Sequence, residues 1–252
     1  LIMTTLEVFF EDPHLIVLNK PSGLLSQGEH TGDENLVDLL RDRFKRHYVG
    51  LVHRLDRNTS GLMVVAKRSK AAERLTRALQ NGELHRDYLA WLEGKLSPLE
   101  VSQHWKDWLL RDEKTQLTRI ARPGAAQAPG RAQTSSGARA PSNAQAPNHP
   151  QAKEALLEVR PLSHGSRQGQ TITLCEFTLE TGRTHQIRAQ SASRGHPLLG
   201  DRKYGAQLAF QRLALHSHRL SFPHPMSQER LSFQCPLPQE LQLHSKSGQS
   251  SG

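Results

Sequence analysis

The chain has 252 residues, enough for one large domain or two small ones, and its 36% hydrophobic and 23% charged content excludes a fibrous or wholly disordered protein. No apolar run approaches the roughly 20 residues that span a bilayer, the N-terminus lacks a basic region followed by an apolar signal core, and Cys175 and Cys235 make neither a disulfide framework nor a zinc site, so a cytoplasmic protein is expected. A net charge of +9, from 33 Lys and Arg against 24 Asp and Glu, favours a polyanionic partner, nucleic acid first and an anionic membrane second, although a basic enzyme with scattered surface charge meets the same numbers.

In chain order, residues 6–10 and 15–18 read as short apolar strands separated by a turn at Asp12-Pro13. Residues 34–47 read as a helix, with Leu36, Leu39, Leu40 and Phe44 on one face and Thr31 or Asp33 as cap. A buried strand is expected over 62–67, entered through Gly61. A second helix follows over 70–81, capped by Ser69, striped by Ala72, Leu75, Ala78 and Leu79, and ended by Gly82. Residues 84–92 alternate as a strand, with Tyr88, Ala90 and Leu92 on one face.

Residues 121–152 stand apart. They are built from Ala, Pro, Gly, Gln, Ser and Asn, with Arg122, Arg131 and Arg139 but no acidic or large apolar side chain, and are expected to form a flexible, weakly basic insertion. Beyond it, 155–159 and 171–180 resemble a strand pair, and 184–194 a helix closed by Gly195 and Pro197. Residues 213–222 and 231–235 supply the last strands before a polar tail, 243–252. Many strands with few helices between them point to an α+β fold.

Three clusters carry candidate chemistry. In LVHRLDRNTSGLMVVAK, residues 51–67, Asp56 stands between two arginines in a polar turn beside a buried strand. Tyr88 lies in HRDYLAWLEG, and TGRTHQIR, residues 181–188, opens a helix with Arg183 and Arg188. Singly, an Asp in a turn is a cap, an ion-pair partner or a nucleophile, a strand Tyr is core, and a basic helix start is a solvated face or an anion site. His216, His218 and His224 have no carboxylate or Cys to complete a metal set, and read as structural or RNA-facing.

In this order, HRLDRNTSGL, the strand-borne Tyr and TGRTHQIR resemble the RluA-type pseudouridine synthases. VFFEDPHLIVLNKPSGLLS, GHPLLGDRKYG and LHSHRLSFPHP resemble further signatures of that family, so the resemblance covers nearly all of the chain outside the insertion and the tail. It implies a single catalytic domain over 1–242, with a mixed, mainly antiparallel central sheet flanked by helices and a central cleft. A catalytic domain without an N-terminal S4-like domain is expected, and the opening Leu1 suggests that the recorded chain does not begin at the native start.

The implied activity is isomerisation of uridine to pseudouridine in rRNA or tRNA, with no cofactor and no metal, by a monomer whose partner is RNA and no obligatory protein. The resemblance makes Asp56 the nucleophile, attacking the ribose anomeric carbon in preference to a base carbon. Arg188 is its ion-pair partner, and Tyr88 stacks on the base and is positioned to take a proton. Arg54 enters the space the flipped base leaves, and Ile187 forms an apolar wall. His53, Arg57, Thr59, Arg183, His185 and Gln186 are expected at the substrate, with Lys67, Arg202 and Lys203 joining Arg57 and Arg183 along a phosphate track. Arg86 stands where relatives often carry lysine. Two rivals remain: an RNA-binding protein that kept the fold without catalysis, and a hydrolase, which would need a second carboxylate that does not accompany Asp56.

Overall fold

Runs rich in Val, Ile, Leu and aromatic residues, cut by turn residues, become strands here, and the few stretches with 3.6-residue periodicity become helices. The computed structural model describes residues 6–28, 32–45, 47–121 and 150–243. Among them the elements are β1 (Glu7–Glu11), β2 (Leu15–Lys20), α1 (Leu36–Phe44), β3 (Gly50–Leu51), β4 (Ser60–Ala66) and α2 (Ser69–Gln80). There follow β5 (His85–Glu93), β6 (Gln103–Asp112), β7 (Leu117–Ile120), β8 (Lys153–Arg167) and β9 (Gln170–Leu179). The last are α3 (Gln186–Ser193), a 3-10 turn at Arg202–Tyr204, β10 (Leu215–Pro223), β11 (Arg230–Gln234) and a 3-10 turn at Gln239–Leu241. No helix among the described residues is long and apolar enough to cross a membrane.

The chain folds as two compact units, one from residues 6–89 and 215–242, the other from 90–214, with β5 carrying the chain from the first to the second. In the first unit β4 is the spine. All seven of its residues are buried. It pairs antiparallel with β2 and β3, and β1 completes a hairpin on β2. Asp12 shapes that hairpin by accepting the amides of His14 and Leu15, both at 2.7 Å. On the edge away from β2, an edge that β3 shares, β4 meets β10 in parallel, His216 opposite Ser60 and Ser217 opposite Gly61, and β11 adds antiparallel to β10. Leu62, Val64 and Ala66 of β4, Leu75 and Ala78 of α2, and Phe222 of β10 share one core. In the second unit β9, β8, β6 and β7 form an antiparallel order. Gln168 and Gly169 both take positive φ in the β8–β9 turn, the geometry that matches the twist of a two-residue hairpin. α3 packs against β6 and β7. The fold is therefore α+β with a mixed, mainly antiparallel sheet, as expected.

Several boundaries differ from expectation. Helix α1 is shorter than 34–47, because Lys45 turns left-handed at its end. Its cap is Asn35, whose side chain accepts the Asp38 amide at 3.1 Å; Asp33 does not serve, and Thr31 lies outside the described residues. Ser69 is the first helical residue of α2 and Arg68 the cap position. Gly61 lies inside β4, and α3 starts two residues later than predicted. Strands β6 and β7 went unread, since the core-facing row of β6 runs Trp105, Asp107, Leu109 and the buried Asp107 breaks the apolar alternation. β8 extends far beyond 155–159 through a polar half with a bulge between Pro161 and Ser163. The insertion beyond Ala121 and the tail beyond Leu243 lie outside the described residues, apart from residues 150–152.

Candidate active site

The turn bearing Asp56 is held from below by the NKPSG turn that ends β2. Lys20 is fully buried, and its Nζ donates to the carbonyls of Pro21 (2.9 Å), Leu24 (2.8 Å) and Arg57 (3.1 Å). Desolvating an ammonium is costly unless its donors are filled, and here three carbonyl dipoles fill them. The Gly23 amide also donates to the Arg57 carbonyl at 2.8 Å, and Arg57 Nε returns to the Gly23 carbonyl at 3.1 Å. Ser26 Oγ donates to the Leu55 carbonyl (2.7 Å) and accepts the Leu55 amide (3.2 Å), while Ser22 Oγ donates to the Asn58 carbonyl (2.9 Å). Backbone groups of residues 55, 57 and 58 are thus fixed on both sides of Asp56, which is half-buried, and its own carbonyl accepts the Thr59 amide at 3.0 Å. One residue is aimed by a bracket on each side.

Behind the turn, Gly61 takes φ +114° and a Cβ there would sit 2.2 Å from the Ser217 carbonyl oxygen, so only glycine lets β4 and β10 approach this closely. Ser60 Oγ and His216 Nδ1 are 2.9 Å apart, and Ser217 Oγ donates to the Leu62 carbonyl at 3.0 Å. His216 and His218 both reach the Cys235 carbonyl, and His224 Nε2 reaches Asp12 at 2.9 Å, so these histidines serve hydrogen bonds within the fold. His53 is buried and its Nε2 accepts the Val64 amide at 3.3 Å. Burial, reinforced by the nearby Arg86 charge, pushes this imidazole down to about 3, so it is neutral at physiological pH.

Tyr88, on β5, is 5% exposed. Burial raises its phenol above the ordinary value; Arg86 and a hydrogen bond with Ser217 oppose the rise, and the Asp56 charge adds to it. Asp56, Tyr88, Arg86 and Ser217 are therefore electrostatic neighbours within the first unit. Arg86 is itself buried, with no hydrogen-bond partner at Nε.

The second unit holds the TGRTHQIR residues. The Gln186 amide is spent inside the protein: its oxygen accepts Thr181 Oγ1 (2.8 Å) and the Arg183 amide (3.0 Å), and its nitrogen donates to the Leu156 carbonyl (3.0 Å). This pins the loop entering α3. His185, the residue before the helix, takes φ +54°. Arg188 is buried, and its Nε and Nη2 donate to the two oxygens of Asp201 at 2.6 and 2.8 Å. Its Cζ lies 4.8 Å from the centre of the Tyr204 ring.

Of the predicted site residues, Asp56, Tyr88, His53, Arg54, Arg57 and Thr59 belong to the first unit, and Arg183, His185, Gln186, Ile187 and Arg188 to the second. Arg54, Arg57 and Arg183 are exposed; His53, Thr59, Gln186 and Ile187 are buried. The expectation that Gln186 meets substrate therefore gives way to a role in the fold, because its amide groups are already bonded and it is 3% exposed. Lys20, Ser26, Arg86, Asp201, Tyr204 and Ser217 carry no task in the sequence reading; all are buried or half-buried polar groups, and Lys20, Ser26, Tyr204 and Ser217 each have a partner at least 29 residues away. NKPSG and GDRKYG were visible only as family signatures.

Residues 14–193, which hold the Asp56 turn and the buried strand tyrosine, match the RNA pseudouridylate synthase family. The chain belongs to that family and is of its RluA type: an RNA pseudouridine synthase, an isomerase. It is 33% identical over 264 residues to the ribosomal large subunit pseudouridine synthase D of Zymomonas mobilis, covering 94% of this chain and 71% of that protein. It is 32% identical over 249 residues to the RNA pseudouridine synthase YjbO of Bacillus subtilis, covering 94% and 74%. In fold it is similar to human RNA pseudouridylate synthase domain containing 1, with a TM-score of 0.68 at 24% identity, covering 92% of this chain and 83% of that one.

Proposed function

We propose that this enzyme isomerises uridine in large-subunit ribosomal RNA, with Asp56 as nucleophile, Tyr88 against the target base and Arg188 as the counter-charge of Asp56. The observation that carries the reading is the bracketed turn: hydrogen bonds fix the backbone on both sides of Asp56, and the phenol of Tyr88 senses its charge. The similarity to ribosomal large subunit pseudouridine synthases such as that of Zymomonas mobilis supports the ribosomal substrate. The reading carries a cytoplasmic location, where that RNA is made, and action as a monomer.

The target base must leave its stack, which costs a few kcal/mol in general. Exposed Arg54, two residues from Asp56, enters the vacated space, and exposed Arg57 and Arg183 meet phosphates. Asp56 then bonds to C1′ as the C1′–N1 bond breaks, and the freed base turns to present C5. The C5–C1′ bond forms as the carboxylate leaves, the C5 proton is lost and N1 gains one. A phenol raised by burial is neutral at pH 7, so stacking is the Tyr88 role with the firmer support, and proton transfer would require its own proton to move on.

The test is single-turnover conversion of large-subunit rRNA fragments and of tRNA by wild type and Asp56→Asn. Product from wild type alone, on the rRNA fragments, is expected. Equal product from the variant would remove Asp56 from the chemistry. Conversion confined to tRNA would move the substrate, and release of free uracil would turn the enzyme into a hydrolase.

A further inference from the structure

We infer that Arg86 is a further catalytic residue, whose guanidinium meets a carbonyl oxygen of the flipped uracil and stabilises the negative charge on the base once C1′–N1 is broken. The inference rests on the reading of Asp56 as nucleophile and of Tyr88 as the residue against the base.

A buried arginine needs acceptors, and this one has none inside its own protein. Arg86 is 5% exposed, its Nε is shut away without a partner, and among the described residues its guanidinium makes no hydrogen bond and no ion pair. Lys20, a second buried cation of the same unit, shows what burial ordinarily requires: three carbonyls fill its ammonium. Arg86 and Tyr88 stand two residues apart on β5 and are both buried, so they share a face of that strand. Tyr88 in turn bonds Ser217, which lies opposite Gly61 at the start of β4, just beyond the Asp56 turn. The Arg86 charge acts on the Tyr88 phenol and on His53. His53 has an unfilled donor of its own: its Nε2 accepts the Val64 amide, which leaves the proton on Nδ1, and Nδ1 has no partner. Donors here outnumber acceptors.

The reaction generates the missing acceptor. As Asp56 bonds to C1′, the electron pair of the C1′–N1 bond stays with the base, whose charge spreads over N1, O2 and O4. A carbonyl oxygen that accepts weakly in the nucleoside accepts strongly in this anion, so its bond to a guanidinium strengthens as the glycosidic bond breaks. Arg86 keeps its proton throughout. The negative charge returns to Asp56 when C5 bonds to C1′ and the carboxylate leaves. A phosphate fits this arginine less well. Phosphates carry the same charge before and after reaction and are met by exposed arginines such as Arg54 and Arg57, whereas a side chain as deep as Arg86 is reached by an extruded base. Nor does stability explain it, since a buried cation without partners destabilises a fold.

The experiment compares wild type, Arg86→Met and Arg86→Lys by urea unfolding, RNA affinity and single-turnover conversion of RNA carrying uridine, 2-thiouridine or 4-thiouridine at the target. Arg86→Met is expected to be at least as stable as wild type, to bind RNA within about twofold, and to convert uridine about a hundredfold more slowly. Arg86→Lys, which keeps the charge, should stay within about tenfold of wild type. Sulfur accepts hydrogen bonds more weakly than oxygen, and its intrinsic effect on bond breaking is common to all three enzymes. At one of the two positions it should therefore slow wild type about tenfold more than it slows Arg86→Met, which identifies the oxygen touched. The inference is overturned if Arg86→Met fails to fold, if it converts uridine at the wild-type rate, or if neither sulfur distinguishes it from wild type. Any of these beside an active wild type and an inactive Asp56→Asn removes Arg86 alone. An Asp56→Asn as active as wild type would sink the nucleophile reading and take the inference with it.

Discussion

His53 is a titratable side chain that does not titrate where the enzyme works. Its imidazole is pushed down to about 3 in the folded protein and returns to about 6.5 when the chain unfolds. The unfolded state therefore binds the extra proton, and stability is fully present above pH 6.5 and falls as pH drops towards 3. At full extent this is on the order of 5 kcal/mol. Urea midpoints of wild type should fall between pH 7 and pH 4.5, and His53→Gln should flatten that slope; equal slopes would mean that another group carries the acid sensitivity. Tyr88→Phe separates stacking from proton handling. RNA affinity should hold within about twofold while the rate falls by about tenfold or more, and an unchanged rate would leave stacking alone. Asp56, Tyr88 and Arg188 stand out in the sequence because they lie in ordered motifs, whereas Arg86 does not. A buried arginine whose charge acts on both His53 and Tyr88 looks, in sequence, like any strand residue beside a tyrosine.

At the scale of elements, the Asp56 turn depends on two supports of different kinds. Lys20→Met would leave the Pro21, Leu24 and Arg57 carbonyls without their ammonium, and a loss of about 3 kcal/mol is expected by chemical denaturation. Gly61→Ala faces both a positive φ and a backbone oxygen, so a loss of about 3 kcal/mol or more is expected, because no rotamer relieves a Cβ clash. Wild-type stability in either variant would dismiss the corresponding support. Helix α2 and strands β2 and β4 were readable because their apolar periodicity is strong. Strand β6 was not, because Asp107 occupies a core-facing position and is satisfied by Gln190 (2.7 Å) and Arg194 (2.8 Å), partners more than 80 residues away in sequence. The cap of α1 was misplaced for a simpler reason. Asp33 and Asn35 are equally good cap residues, and only the bonds between Asn35 and Asp38 distinguish them.

For the whole molecule, the charge of +9 makes RNA binding a matter of counterion release. With about four phosphate contacts, affinity should fall on the order of a hundredfold between about 50 and 200 mM salt, and a flat response would remove the phosphate track. The division into two units was beyond a reading of local pattern, since the first unit is assembled from residues 6–89 and 215–242. That discontinuity has a consequence for how the enzyme comes into being. The ribosome releases the Asp56 turn early, but the strand that frames it, with His216 against Ser60 and Ser217 against Gly61, emerges some 160 residues later. The nascent chain thus carries Asp56 long before the strand that frames its turn. An RNA-modifying enzyme made in the presence of abundant RNA leaves the Asp56 turn unframed until β10 has paired with β4.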